Sequence, residues 1–227
     1  MAAQPLDADE LDSRGMALLP GLLPAQACAD LIDCYERGEL FRSRVVMAQH
    51  GFGRGEYQYF CYPLPTAVQA LRDRLYPLLA PIANRWHEAL RIKSRFPASH
   101  AEFLARCHRA GQKRPTPLLL RYGPGDFNCL HQDLYGEQVF PLQITVLLSN
   151  PESDFRGGEF CLTEQRPRAQ SRVEVVPLSR GDGVAFATRY RPAVGKRGAY
   201  RLSMRHGVSR LRRGQRYTLG IIFHDAQ

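Results

Sequence analysis

Leu119-Leu120-Arg121-Tyr122-Gly123-Pro124-Gly125-Asp126-Phe127-Asn128-Cys129-Leu130-His131-Gln132-Asp133 is the stretch whose reading decides the fold. An apolar run enters it, Gly-Pro-Gly turns it, and a second β-rich run leaves through His131-Gln132-Asp133. Side chains two residues apart on a strand share a face. The imidazole of His131 and the carboxylate of Asp133 therefore point the same way at the end of a predicted strand, and they converge on one cation if another ligand arrives from elsewhere. Alone, His-x-Asp is a weak signal. With seven His and eleven Asp in the chain, chance supplies one such pair in roughly a third of comparable sequences.

The surrounding sequence strengthens it. From Pro117 onward, short β-rich runs follow one another at Leu118–Tyr122, 128–131, 142–148, 159–162, 173–176, 184–187, 200–205 and 217–223. Turns such as Asn150-Pro151, Arg156-Gly157-Gly158 and Arg180-Gly181-Asp182-Gly183 separate them. Eight strands at this spacing predict a mainly β fold, a double-sheet jelly roll. A second histidine, His206, falls in the seventh predicted strand. Ten residues on, Arg216 opens the last one. Two His and one carboxylate leave three positions of an octahedron open, the ligand set of a non-haem Fe(II) site. An arginine on the adjoining strand offers the planar, forked donors that bind a carboxylate.

Before the jelly roll, the pattern is helical. Pro24 opens a first helix through Cys28, Leu31, Ile32 and Tyr35, with Gly38 as its stop. Val45-Val46-Met47 and 56–62 read as strands flanking Gln49-His50-Gly51-Phe52-Gly53-Arg54-Gly55, a glycine-rich connection expected to be a mobile flap. The flap region carries Phe52, Tyr57, Tyr59, Phe60 and Tyr62, most of which are expected to face the core. Residues 66–92 follow a helical period that Pro77 and Pro81 should kink or split near 76–80. Ser99-x-x-Glu102 has the form of a capping box for a further helix ending at Gly111. His87, His100 and His108 lie on these helices with no functional role expected, and His50 and His224 are not expected to be ligands. This gives a flexible N-terminus over 1–14 and one domain over 15–227, in which a helical and flap part (15–116) packs against a jelly-roll core (117–227).

Composition narrows the function classes. The chain has 227 residues, of which 44% are hydrophobic, and no apolar run nears the roughly 20 residues of a membrane span. Met1 to Arg14 is acidic and polar, unlike a secretory signal. The six Cys include no C-x-x-C pair, which argues against a disulfide framework or a zinc ribbon and for a reducing, cytoplasmic location. The net charge is +9, concentrated at 162–216, where fourteen Arg/Lys face three acids (Glu164, Glu174, Asp182). A second basic cluster covers 85–114. Such stripes mark polyanion-binding surfaces, and Arg166, Arg168, Arg172, Arg189, Arg191, Arg212 and Arg213 are candidates for phosphate contact. Only three of the 31 basic residues are Lys.

The order His131-x-Asp133, His206, Arg216 resembles the Fe(II)/2-oxoglutarate-dependent dioxygenases, whose fold is a double-stranded β-helix. Gly157-Gly158-Glu159 and His206-Gly-Val through Gly214-x-Arg216-Tyr217 are similar to the prolyl-hydroxylase branch. Arg121-Tyr122-x-Pro124-Gly125 leading to His131-Gln132-Asp133 is more like the enzymes that oxidatively dealkylate damaged bases. The C-terminal half as a whole resembles a bacterial group assigned to damaged-DNA dealkylation. The resemblance covers about residues 117–225. It implies Fe(II), with 2-oxoglutarate and O2 as cosubstrates. His131, Asp133 and His206 would be the metal ligands, Arg216 would hold the distal carboxylate of 2-oxoglutarate, and Tyr122 would contact the same cosubstrate. No catalytic residue beyond the ligands is implied. Leu120 stands where the dealkylases usually carry an Asn, and their pair of Arg after the distal His is not reproduced at their spacing.

The expected activity is hydroxylation of a C–H bond, foremost the oxidative dealkylation of alkylated bases in nucleic acid. One alternative is a hydroxylase of peptidyl-proline or a small molecule, with a peptide as possible partner. Another is a non-catalytic jelly-roll binding protein. Neither a membrane partner nor a particular oligomeric state is implied.

Overall fold

The computed structural model describes residues 6–133, 136–196 and 198–227. α1 (Ala8–Arg14), β1 (Met16–Leu19) and α2 (Ala25–Asp33) lead into β2 (Phe41–Val46), β3 (Gly53–Arg54) and β4 (Glu56–Phe60). α3 (Thr66–Ala89) and α4 (His100–Arg109) follow. The remainder is β: β5 (Leu118–Tyr122), β6 (Phe127–His131), β7 (Leu142–Leu147), β8 (Phe155–Gly157), β9 (Phe160–Gln165), β10 (Ser171–Val176), β11 (Gly183–Ala187), β12 (Tyr190–Gly195), β13 (Gly198–Val208), β14 (Leu211–Gly214) and β15 (Arg216–Ile221). No helix among the described residues is long and apolar enough to cross a membrane.

Seven strands form one antiparallel sheet in the order β1-β11-β7-β15-β5-β4-β2. A second runs β10-β9-β13-β6-β3, with β12 also paired to β13, and β14 pairs β8 in a short ribbon. Met16, Leu147 and Phe186 of the larger sheet share an apolar cluster with Phe160, Leu162 and Val208 of the second. This is the expected mainly β, jelly-roll arrangement, with more strands than the eight runs suggested. The extra ones are short or edge pieces (β1, β3, β8, β12, β14) whose sequences carry little apolar alternation.

Strand periodicity divides the larger sheet into two working faces. Leu119, Ile144, Val146, Leu219 and Ile221 turn outward into a cluster with Leu75, Leu79 and Trp86 of α3. The alternate residues, Leu120, Tyr122, Gln143, Thr145, Arg216 and Thr218, turn inward and line a cavity between the sheets. The helix layer anchors the strand that carries Arg216. Fully buried Arg72 of α3 pairs with Asp225 at 3.0 Å and donates to the carbonyls of Ile222 and Phe223, directly after β15.

Several local expectations are corrected. α3 is not split: it runs as one helix of 24 residues with both prolines inside it. Pro77 and Pro81 lie four apart on the solvent-exposed side, where water satisfies the carbonyls that lose a donor. The buried face, from Val68 to Trp86, holds the helix together at roughly 1.5–3 kcal/mol per fully buried large side chain. Ser99 is the N-cap of α4, but its side chain accepts no capping bond. Residues 8–14 form a helix that the sequence reading did not place. Asp7 caps α1 through Glu10 N–H at 3.0 Å, and Leu11 is fully buried; residues 1–5 lie outside the described residues. The expected free flap is stitched down at β3, where Gly53 pairs with Asn128 and Arg54 with Phe127. Of its aromatics, Phe60 enters the core while Tyr57 and Tyr59 line the cavity.

Candidate functional site

β6 and β13 bring the site together. Their antiparallel register sets His131 opposite His206, and the two rings lie 4.2 Å apart between centroids. Asp133 lies two residues beyond the end of β6, not on the strand as expected, yet its carboxylate reaches both imidazoles. Its Oδ1 is 3.4 Å from His131 Nε2 and its Oδ2 is 3.2 Å from His206 Nε2. One ligand-type atom from each of the three residues falls within 4.8 Å of the others. Gln132, between them, points the other way and fastens the segment to β13 by donating to Met204 O at 2.8 Å.

The hydrogen bonds orient the donor atoms. His131 Nδ1 lies 2.7 Å from Cys129 O, so it carries the proton and leaves the Nε2 lone pair facing Asp133. That is the usual way a protein fixes a ligating imidazole. Gln143, on inward-facing β7, donates Nε2–H to Asp133 Oδ2 at 2.7 Å and lies 3.2 Å from His206 Nε2. Electrostatics agree with a cation-binding set. Burial opposes ionisation of Asp133, but His206 and His131 outweigh it and hold the carboxyl well below the usual range. Burial lowers the pKa of His206, whereas His131, against the effect of burial, is raised by the Asp133 carboxylate.

Arg216 completes the cavity wall from β15. It is 2% exposed, and its Nε and Nη1 have no hydrogen-bond partner among the described residues. Burial pulls its guanidinium down to about 10. A buried cation left unpaired is costly. It therefore marks a place made for an anion. Tyr122, its cross-strand partner, is wholly buried, with its ring 5.6 Å from the guanidinium carbon. Gly158 makes room: at φ +68°, a Cβ there would sit 3.0 Å from Arg216 Cδ. His131, Asp133, His206, Tyr122 and Arg216 all line one cavity of about 410 Å³, a size suited to a small organic acid and part of a substrate.

Other expectations fall outside this cavity. Arg121 faces away from it and pairs with Glu36 at 2.5 Å and with Glu56; its role is structural. Arg191 is buried against Glu164 at 2.6 Å and is not free for phosphate. His50 is stacked on Phe52, and His224 is buried in the helix-side layer against Phe140 N–H. Gln143 was missed by sequence reasoning, although an amide in the otherwise apolar inward and outward pattern of Leu142-Gln-Ile-Thr-Val-Leu147 is a readable signal. Tyr57 and Tyr59, among flap aromatics expected mostly to face the core, line the cavity instead.

Comparisons with known proteins agree with this geometry. A family model described as an oxygenase catalysing oxidative methylation of damaged DNA matches residues 55–226. "Uncharacterized protein Rv2227" of Mycobacterium tuberculosis is 52% identical over 167 residues, covering 74% of this chain and 72% of that protein. Among solved structures, a Pseudomonas putida prolyl-4-hydroxylase is similar with a TM-score of 0.57 at 18% identity, covering 94% of each chain. A Burkholderia pseudomallei oxidoreductase of the 2OG-Fe(II) oxygenase family has a TM-score of 0.56 at 15% identity, covering 96% of this chain and 90% of that one.

Proposed function

The chain belongs to the oxygenase family whose model spans residues 55–226, and from that premise we propose that it is an Fe(II)- and 2-oxoglutarate-dependent dioxygenase that removes alkyl groups from damaged nucleic-acid bases. One observation carries the cofactor assignment. An arginine buried without a counter-ion shares a cavity with two imidazoles and a carboxylate whose ligand atoms lie within 4.8 Å of one another. The residues fit both groups: His131, Asp133 and His206 would hold Fe(II), and Arg216, with Tyr122 beside it, would hold the distal carboxylate of 2-oxoglutarate. When bound, these groups couple O2 to oxidative decarboxylation of the keto acid, giving succinate, CO2 and a hydroxylated C–H.

The chain's own residues do the rest. Three protein ligands leave an open coordination face. Cys129 O and Gln143 fix His131 and Asp133 in place, so little reorganisation is needed on binding. Leu118, Leu120, Phe160 and Phe186 wall the cavity against water. Tyr57 and Tyr59 meet edge to face, with centroids 5.4 Å apart, on the wall that a base would stack against. Inserting one oxygen atom into a C–H bond of an N–CH3 group gives N–CH2OH, and this hemiaminal separates into the free N–H base and formaldehyde. The substrate assignment draws on the family description and on the basic surface. It needs the target base unstacked, which damage makes easier.

The test offers the iron-loaded enzyme an N-methylated oligonucleotide or a proline-containing peptide and counts succinate and formaldehyde. Formaldehyde in step with succinate on the oligonucleotide supports dealkylation. Succinate with the peptide alone would overturn the substrate and favour the peptidyl hydroxylase reading.

A further inference from the structure

Arginine supplies most of the positive charge, and the structure sorts the arginines into two kinds. Buried Glu164 takes Arg191 at 2.6 Å, Arg166 at 3.3 Å and Arg172 at 3.7 Å. These cations are neutralised within the fold. Others meet an aromatic ring in place of a carboxylate. The guanidinium carbon of Arg189 lies 4.6 Å from the Tyr190 ring centroid, and that of Arg201 lies 5.7 Å from the same ring. Arg210 lies 5.5 Å from the Phe127 centroid. All three arginines are exposed. None makes an ion pair among the described residues.

Strand register sets these two groups on either side of the candidate metal ligands. β9 pairs with β13 from Ser203 to Val208, so β6 and β12 lie end to end along the opposite edge of β13. His131 stands opposite His206. Tyr190 stands opposite Ser203, three residues one way. Asn128 stands opposite Val208, with Phe127 next beyond it, the other way. Three strand residues span about 10 Å. The two arginine–aromatic groups are thus about 20 Å apart along the edge, with His131 between them.

Gln132 fills the junction of β6 and β12. It donates to Met204 O at 2.8 Å, and to Arg189 O and Ser203 Oγ at 3.2 Å each. The segment carrying His131 and Asp133 is therefore fastened to the residue that bears one of the arginines. Opposite in sense to inward His206, the neighbouring positions Arg201, Ser203 and Arg205 of β13 face out beside Thr163 and Gln165 of β9, and none of these is acidic.

We infer that Arg189 and Arg201 on Tyr190, and Arg210 on Phe127, form a phosphate-binding rail along this edge, and that its partner is a single strand of nucleic acid. A guanidinium packed over a ring, with no carboxylate partner, keeps N–H groups free for phosphate. The rail spans about 20 Å, the length of a few nucleotides of a single strand, and contacts its backbone on both sides of His131. The inference rests on the nucleic-acid substrate proposed above and names the surface that would select it.

Fluorescence anisotropy of a labelled, unmodified single-stranded oligonucleotide against salt tests it. The wild-type protein should bind with a steep salt dependence. Arg189→Ser/Arg201→Ser should weaken binding and flatten the log–log slope by about 1.4, at about 0.7 for each lost contact. Arg189→Lys/Arg201→Lys should restore the slope. The charge-matched pair Arg74→Ser/Arg109→Ser, at exposed positions of α3 and α4, should bind as wild type. If the Arg189/Arg201 Ser pair keeps the wild-type slope while the wild-type enzyme releases formaldehyde from methylated oligonucleotides, the rail is wrong and the dealkylase reading stands. If Arg74→Ser/Arg109→Ser loses as much slope as the Arg189/Arg201 Ser pair, binding follows net charge and the rail is equally overturned. If the wild-type protein neither binds nor demethylates oligonucleotides, both fail together.

Discussion

Arg216 and Tyr122 are register partners on β15 and β5, with the guanidinium carbon 5.6 Å from the phenol centroid. The pair is wholly buried, and the arginine makes no ion pair among the described residues. An enzyme that keeps a cation this way trades stability for an anion site. Arg216→Met should therefore leave the melting temperature of the protein without cosubstrate unchanged or raised. The same variant should raise the KM for 2-oxoglutarate roughly 100-fold or more, as two charge-assisted hydrogen bonds of about 1.5–3 kcal/mol each are lost.

Gly158 sits at φ +68°, where a Cβ would meet Leu211 Cδ1 at 2.8 Å and Arg216 Cδ at 3.0 Å. Gly158→Ala should push the arginine from its place and raise the KM for 2-oxoglutarate. Metal affinity, which depends on the other end of the cavity, should stay as in wild type. Equal loss of both would indicate a collapsed fold, which a thermal melt would reveal.

Gln143 donates to Asp133 Oδ2 at 2.7 Å, so Gln143→Leu frees that oxygen to swing. Metal affinity should fall about 10–100-fold, the usual effect of removing an outer-shell partner. Calorimetric titration with Mn(II) in place of Fe(II) reads it directly. Unchanged affinity would show that packing alone holds the carboxylate.

His224 is buried, with its pKa pulled down to about 4, whereas it titrates near 6.5 in an unfolded chain. Between these values the unfolded state binds more protons, so stability falls as pH drops from about 6.5 to 4. The loss is up to about 3 kcal/mol, at about 1.4 kcal/mol per pH unit. Burial also lowers His87 and His100, which adds to the same slope. His224→Asn keeps an acceptor for Phe140 N–H and should flatten the acid limb of a pH–melting curve.

The sequence showed the site better than its surroundings. Strand periodicity made the inward turn of His131, His206 and Arg216 legible once β6, β13 and β15 are placed, while the family resemblance implied their roles and that of Asp133, which lies beyond β6. Gln143 and the two tyrosines obey the same rule but were passed over, since an amide or a phenol in a strand reads as ordinary packing until a neighbour is known. α3 defeated local reasoning because prolines four apart fall on one exposed side, where tertiary burial outweighs the missing N–H groups. The fate of the arginines was not legible at all. Arg191 and Arg201 look alike in sequence, and only the fold shows that Glu164 holds one and Tyr190 the other.

The most direct test of the central claim measures succinate formed from 2-oxoglutarate and O2 by the wild-type protein and by Asp133→Ala, each with Fe(II) and with the metal chelated. The account predicts iron-dependent succinate from the wild-type protein and only background from the variant or the chelated samples. Turnover that survives chelation, or an Asp133→Ala protein as active as wild type, would contradict it.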